Sequence, residues 1–363
     1  MRKGPLTLVA VGLLATGGAA GCGGGDTGSG IGSSAGKVGV ILPDTASSTR
    51  WATADPRYLR QAFDAAGVQA DIRNAQGDKA QFQAIAQSMI STGVKALMIV
   101  SPDPGTGKAV LDKARAAGIA TIDYDRLTLG GGASYYVSFD DVKVGELQGQ
   151  GLVDCLSAKK YVKPVVAELS GAATDNNAVL VKRGYDSILK PKYDAGEYVK
   201  GPDVGVPGGS STQAGTIFEQ QLTRDRRIKA VLAADDGLGN AVISVLKRNK
   251  LNGQVPVTGQ GATVQGLQNV LAGDQCMTVY RPIRKEADAA SELAISLANG
   301  RKPTTVTGVV TDPVSKKDVA SVLLTPVAIT KADVDDVLAD GYVTRDQVCA
   351  GAYARACTDA GIG

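Results

Sequence analysis

Residues 37–75 read KVGVILPDTASSTRWATADPRYLRQAFDAAGVQADIRNA, and this stretch decides the fold class. "KVGVILP" (37–43) is a short, β-branched apolar run without polar alternation, the pattern of a strand buried on both faces. "PRYLRQAFDAAG" (56–67) places apolar residues at helical spacing and stops at Gly67. "VQADIRNA" (68–75) is strand again. Arg50 and Trp51, the single tryptophan of the chain, fall in the loop between the first strand and the helix. At a loop tip an indole stabilises no core. Its apolar face beside a planar guanidinium suits a ligand that carries both C–H surface and hydroxyls.

Outward from that stretch the same alternation continues. Helices are expected over "DKAQFQAIAQSMISTG" and "GTGKAVLDKARAAG", and strands over "VKALMIVSP", "IATIDYD" and "SYYVSFD". Strand–helix alternation with short connections implies parallel strands joined by right-handed crossovers. The grammar then restarts with "DDVKVGELQGQGLVDCLS", "KPVVAELSG" and "DNNAVLVKRGYDSILK", and runs on through "GTIFEQQLTRD", "IKAVLAADD", "GLGNAVISVLKRN", "QVPVTGQ", "TVQGLQNVLAG" and "CMTVYRPI". Two doubly wound Rossmann-like α/β lobes are therefore expected. The helix "RKEADAASELAISLANG" is assigned back to the first lobe, so the chain crosses near Phe139-Asp140, near Arg281-Pro282 and around "VASVLLTPV". Several crossings make a hinge. The expected division is 37–139 plus about 282–318 for the N-terminal lobe, and 140–281 plus about 319–363 for the C-terminal lobe.

Composition narrows the function. The 363 residues exceed what one core holds, and 44% hydrophobic with 21% charged residues is ordinary globular composition. The 46 glycines imply close packing and many turns. A net charge of +3 with mixed signs offers no basic field for nucleic acid. The absence of histidine removes Ser-His-Asp and Cys-His catalysis and His-ligated metals. No cofactor or metal is expected.

The first residues carry an address. Met1-Arg2-Lys3 is basic, and the apolar run after it is too short to span a bilayer as a mature helix. It ends in "AAGC" (19–22). Residues 1–22 are read as a lipoprotein signal peptide with Cys22 as the lipidated residue, and 23–36 as a Gly/Ser tether. The mature domain, extracytoplasmic and held to the membrane by its lipid, is expected to begin near Lys37. Cys155, Cys276, Cys349 and Cys357 form an even set for an oxidising compartment. Cys349 and Cys357 are close enough for a local staple, which leaves Cys155 with Cys276.

In open α/β sheets, ligands bind beyond the carboxyl ends of the strands. The residues there are Arg50-Trp51, Ser101-Pro102-Asp103, Asp125-Arg126, Asp140, Asp175-Asn176-Asn177, Asp235-Asp236, Gln260 and Arg281. Carboxylates, amides and guanidinium groups bind neighbouring hydroxyls in pairs, and an aromatic face covers C–H surface. The set suits a small neutral polyol. Asp175 is expected to cap the helix after it, with Asn176 and Asn177 the better ligands. Adjacent strand-end residues point apart, and of Asp235 and Asp236 the second is assigned to the cleft. Asp125 is expected to orient Arg126. "GLGNA" and "SPDPGTGKAV" lack the Gly-Lys-Ser/Thr of a phosphate loop and read as turns into helices.

"RW" after the first strand, "YDRL", "SFDDVKVGELQ", "DNNA", "AADDGLG", "GQGA", "MTVYRPI" and "LLTPVAIT", in order from about Lys37 to about Thr330, resemble the xylose-binding group of solute-binding proteins of bacterial sugar ABC importers. The resemblance implies a type I periplasmic binding protein fold, a monosaccharide ligand (xylose or a related aldose), closure of the lobes on it, and delivery to a membrane permease by a monomer. By motif position it implies Arg50, Trp51, Asp125, Arg126, Asn176, Asp236 and Arg281 as ligand residues; Asp140, Asn177 and Gln260 complete the candidate set. The group usually writes "GQDA" and "VYKP" where this chain has Gly261 and Arg281. Two further functions share some of these features. A carbohydrate-active enzyme would use cleft carboxylates such as Asp125 and Asp236, but their Arg and amide neighbours are expected to hold them ionised, whereas a general acid needs a raised pKa. A sugar-sensing co-receptor is compatible with transport.

Overall fold

The structure is a computed structural model and describes residues 36–45 and 47–362. The signal segment, Cys22 and residues 23–35 of the tether lie outside the described residues.

The first lobe opens with β1 (Val38–Leu42), α1 (Ala54–Ala65), β2 (Ala70–Asn74), α2 (Lys79–Ser91), β3 (Ala96–Ile99), α3 (Pro104–Ala116), β4 (Ala120–Tyr124) and β5 (Tyr135–Phe139). A short 3-10 turn over Thr49–Ala52 sits between β1 and α1. After the second lobe the chain returns with α9 (Ile283–Ala298), β10 (Gly308–Thr311) and β11 (Asp318–Leu324). The resulting sheet has the order β10-β11-β5-β4-β3-β1-β2, parallel except for the β10–β11 pair. Alternation along β1 feeds two cores. Val38, Val40 and Leu42 pack under α1 and α9, and Ile41 packs under α2 and α3. That is why every residue of β1 is apolar or glycine.

The second lobe holds α4 (Asp141–Lys159), β6 (Val165–Ser170), α5 (Asn176–Asp194), β7 (Val199–Gly205), α6 (Ser211–Arg224), β8 (Ile228–Ala233), α7 (Asp236–Arg248), α8 (Val264–Ala272) and β9 (Thr278–Tyr280). It ends with β12 (Val327–Ile329), α10 (Val334–Ala339), α11 (Arg345–Val348) and α12 (Ala354–Asp359). β7-β6-β8 are parallel, and β9 pairs antiparallel with β12. The expected strand "QVPVTGQ" joins these two pieces through bridges Val231–Val257 and Gln260–Val279 rather than as a full strand. Glycine abundance has one clear use here. α4 and α5 approach so closely that a Cβ at Gly145 would strike the Val181 carbonyl, and one at Gly184 the Val142 carbonyl.

The chain passes between lobes at Phe139–Asp141, at Tyr280–Ile283 and at Leu324–Val327, and Asp140 N–H donates to the Leu324 carbonyl (3.0 Å), tying the first and third passages together. The boundary at about 318/319 needs correction: β11 pairs in register with β5, Ala320 opposite Tyr135, so 319–324 belong to the first sheet. Both cysteine pairs form disulfides, Cys155–Cys276 (Cα–Cα 6.4 Å) and Cys349–Cys357 (5.8 Å).

Candidate functional site

The site is built from the end of β4. Asp125 takes a left-handed backbone (φ 62°), which a short polar side chain tolerates better than a bulky one. The turn is held by its carbonyl, which accepts from Ser138 Oγ (2.9 Å), Tyr136 Oη (3.2 Å) and, from the second lobe, Asn177 Nδ2 (3.0 Å). Its carboxylate accepts from Arg50 Nη1 (2.8 Å) and, at longer range, from Arg281 Nη1 (3.5 Å). Arg281 lies in the passage between lobes and also donates to Asp141 Oδ1 (3.4 Å). With its amide oxygen turned inward, Gln260 accepts from Arg281 Nε (3.0 Å) and Gly261 N (3.1 Å). Asp125, Asn177, Gln260 and Arg281 thus come together where the lobes meet.

Arg50 is close by but differently employed. Its Nε and Nη2 donate to both oxygens of Asp55 (2.7 and 2.6 Å), Nη2 also to Glu286 Oε2 (2.6 Å), and Nη1 to Asp125, so four of its five N–H groups are committed inside the lobe. Tyr124 Oη donates to Asp55 (2.6 Å). Arg50 is buried, and the picture of a guanidinium free at a loop tip is corrected.

The same correction applies to Trp51. The indole is 2% exposed and belongs to the core that includes Tyr58, Tyr124 and Ile283. It meets Tyr124 edge-on (6.5 Å between centroids), with the Arg50 and Arg126 guanidinium carbons 4.3 and 5.9 Å from its ring centre. The loop folds into a 3-10 turn that carries the ring inward. Arg126 is not oriented by Asp125. Its Nη2 donates to Ser47 Oγ (3.2 Å), while the Asp125 carboxylate is shared by Arg50 and Arg281.

The fold uses several strand-end carboxylates for helix capping, as expected at Asp175. Asp103, Asp140, Asp175 and Asp235 cap α3, α4, α5 and α7, accepting from Thr106, Lys143, Asn177 and Leu238 N–H groups. In the Asp140-Asp141 doublet it is the buried Asp141, and not Asp140, that meets Arg281. The choice between Asp235 and Asp236 is reversed as well. Asp236 is fully buried and accepts from Thr263 N (2.8 Å), Thr263 Oγ1 (3.0 Å), Gln275 Nε2 (2.9 Å) and Thr278 Oγ1 (2.8 Å), so internal donors fill it. Asp235 stays partly exposed and within reach of the Arg281 charge. Asn176, the first residue of α5, lines a cavity of about 110 Å3 together with Ser101, Asp103 and Arg126 of the first lobe. At Gly261, where the related pattern has a carboxylate, φ is 119°, a conformation essentially reserved for glycine.

Electrostatics sort these groups. Burial pushes the Asp125 carboxyl up, but Arg50, Arg281 and Arg126 outweigh it and hold it below the ordinary value. Asp141 goes the other way: burial raises it well above the ordinary value despite Arg281. Burial likewise lifts Asp235 to about 6 and Glu286 to about 8. The expectation that Arg and amide neighbours hold Asp125 and Asp236 ionised fits Asp125 and is corrected for Asp236, whose carboxyl burial raises although Thr263, Gln275 and Thr278 donate to it.

Among the buried polar atoms without a hydrogen-bond partner are Trp51 Nε1, Asp141 Oδ2, Asn177 Oδ1 and Glu286 Oε1. Buried polar groups are normally satisfied, so the open Asn177 and Asp141 oxygens, on residues that meet Asp125 and Arg281, mark a place for a hydroxyl-rich ligand. Residues 38–302 match the periplasmic binding protein domain. The chain belongs to the periplasmic binding protein family. This binding protein is 33% identical over 308 residues to the D-xylose-binding periplasmic protein of Escherichia coli, covering 84% of this chain and 90% of that one. It is 34% identical over 330 residues to the multiple sugar-binding periplasmic receptor of Rhizobium radiobacter, covering 86% and 92%. A carbohydrate transporter solute-binding protein from Chloroflexus aurantiacus, solved in complex with D-glucose, superposes with a TM-score of 0.77 at 30% identity, covering 85% and 97%. These relatives are sugar-binding and transport proteins, and the two-lobed architecture is the type I periplasmic binding protein fold.

Proposed function

We propose that this chain is the substrate-binding component of a bacterial sugar ABC importer, closing its lobes on one monosaccharide, xylose or a related aldose, and passing it to a membrane permease. The observation that carries the reading is the junction of Asp125, Asn177, Arg281 and Asp141 with its unpartnered Trp51 Nε1, Asn177 Oδ1 and Asp141 Oδ2. An ionised carboxylate, a guanidinium and an amide offer paired acceptors and donors to adjacent hydroxyls, and the indole edge adds one donor. The names of the relatives support a sugar, and the departure at Gly261 bears on which one. Arg126, Asn176, Gln260 and Asp235 are the flanking ligand candidates.

Calorimetric titration with D-xylose, L-arabinose, D-ribose, D-glucose and D-galactose tests the reading. One sugar bound per chain is expected, and heat from none of the five overturns it. Turnover of an aryl glycoside would instead favour the enzyme. Anchoring through Cys22 is part of the proposal: Cys22→Ser should move the protein from the membrane fraction to the soluble one. The Rhizobium relative is named a receptor, which supports a second role in presenting bound sugar to a membrane sensor.

A further inference from the structure

Asp55 and Glu286 lie outside the cleft yet converge on the residue that holds its carboxylate. Asp55 stands in the first turn of α1, and Glu286 in the first turn of α9, directly after the Arg281 passage. Both side chains are fully buried. They grip the Arg50 guanidinium on its Nε and Nη2 edges (2.6–2.7 Å) and leave Nη1 as the edge that meets Asp125 (2.8 Å). We propose that Glu286 and Asp55 are positioning residues for sugar binding: they fix Arg50, and through it set where the Asp125 carboxylate stands. The proposal rests on the reading that Asp125 is a sugar ligand.

Geometry and charge both support it. A left-handed backbone at Asp125 aims its carboxylate at a chosen direction, and a guanidinium held on two other edges cannot follow that carboxylate if it swings. One cation stands among three carboxylates, with Arg281 as a second cation only at 3.5 Å from Asp125. The groups facing Glu286 are Arg50, Asp55 and Asp125 of the first lobe, Arg281 of the hinge, Asp141 of α4 and Tyr124 and Tyr136 of the sheet. The surplus is negative, and Glu286 Oε1 has no partner, so Glu286 is the member suited to carry a proton. A protonated Glu286 still accepts from Arg50 through Oε2, and glutamine reproduces that arrangement.

The test uses D-xylose and D-glucose titrations, thermal melts and the emission of Trp51, whose ring centre lies 4.3 Å from the Arg50 guanidinium carbon. Asp125→Ala comes first; if it binds sugar as the parent does, the cleft reading and the proposal fall together. With Asp125 established, Glu286→Ala should weaken binding about tenfold, the scale of one charge-assisted hydrogen bond, and shift Trp51 emission in the sugar-free protein. Glu286→Gln should stay within about twofold of the parent. Should Glu286→Ala fail to fold, Tyr124→Phe removes the hydroxyl that steadies Asp55 and should weaken binding about threefold with the same emission shift. Unchanged affinity and emission in Glu286→Ala, or in Tyr124→Phe where it takes that place, refute the positioning role while leaving Asp125 as a ligand. A glutamine variant as weak as the alanine one also overturns the proposal.

Discussion

Trp51→Ala separates a core indole from a ligand platform. A tryptophan buries about 150–250 Å2, and at about 25 cal/mol per Å2 its removal costs about 4–6 kcal/mol before relaxation. The ring is 2% exposed, so nearly all of that area is at stake. Against this, Nε1 has no partner, and removing a buried unsatisfied donor returns about 1–3 kcal/mol. The net expectation is a loss of about 3 kcal/mol, which for a lobe of this size lowers the melting temperature by about 6–12 °C. Since the only tryptophan is gone, unfolding should be followed by far-ultraviolet circular dichroism in urea. Sugar binding should weaken too, because Tyr124 and Arg50 lean on the indole and together support Asp125. A variant with parental stability would refute the core assignment; one that loses sugar binding alone would restore the indole to a purely ligand-facing role.

The carboxylate pair at 235–236 should split: Asp236→Asn turns an amide donor toward Thr263, Gln275 or Thr278 and should cost about 2–3 kcal/mol in urea melts, whereas Asp235→Asn should keep the fold and change sugar affinity in titrations. Equal stability losses in the two variants would contradict that division. Burial lifts the Asp123 carboxyl to about 7 although Thr128 N and Oγ1 each donate to it. The folded state then holds a proton that the unfolded chain releases, so stability should fall as pH rises from about 4 to about 7, and Asp123→Asn should flatten that slope. An identical slope in Asp123→Asn would rule Asp123 out as its source. Opening the Cys155–Cys276 bridge, separated by 121 residues, should cost about 5 kcal/mol by the loop-closure model, against about 2–3 kcal/mol for Cys349–Cys357. Denaturation of the paired Cys→Ser variants checks the order, and free alkylation of all four thiols in the native protein would refute both bridges.

The alternation of strand and helix was legible because parallel strands buried on both faces are written as unbroken apolar runs, as in β1 and β3. β7 was missed for the opposite reason: "VKGPDVG" is an exposed edge strand with Gly and Pro inside it. At the site, Asp125, Asn177, Gln260 and Arg281 could be found from position alone. Asp141 and Asp235 could not, because a doublet at a strand end gives no sign of which residue comes within reach of Arg281. Asp55 and Glu286 stand in helix first turns, where an acidic residue carries no sequence sign of burial. Only the packing of α1 against α9 around Arg50 shows otherwise.

The threading of the first sheet has a consequence for how the chain reaches its native state. β11 must pair beside β5, and β10 beside β11, yet the entire second-lobe block from α4 to β9 lies between them in sequence. That block is nearly continuous and can assemble early, while the lobe that starts the chain waits for residues up to Leu324. Until then β5 presents a bare edge, a template for pairing with another chain. Contacts so distant in sequence close slowly, which makes completion of the N-terminal lobe the slow event and places the aggregation hazard of this protein in the interval before β11 arrives.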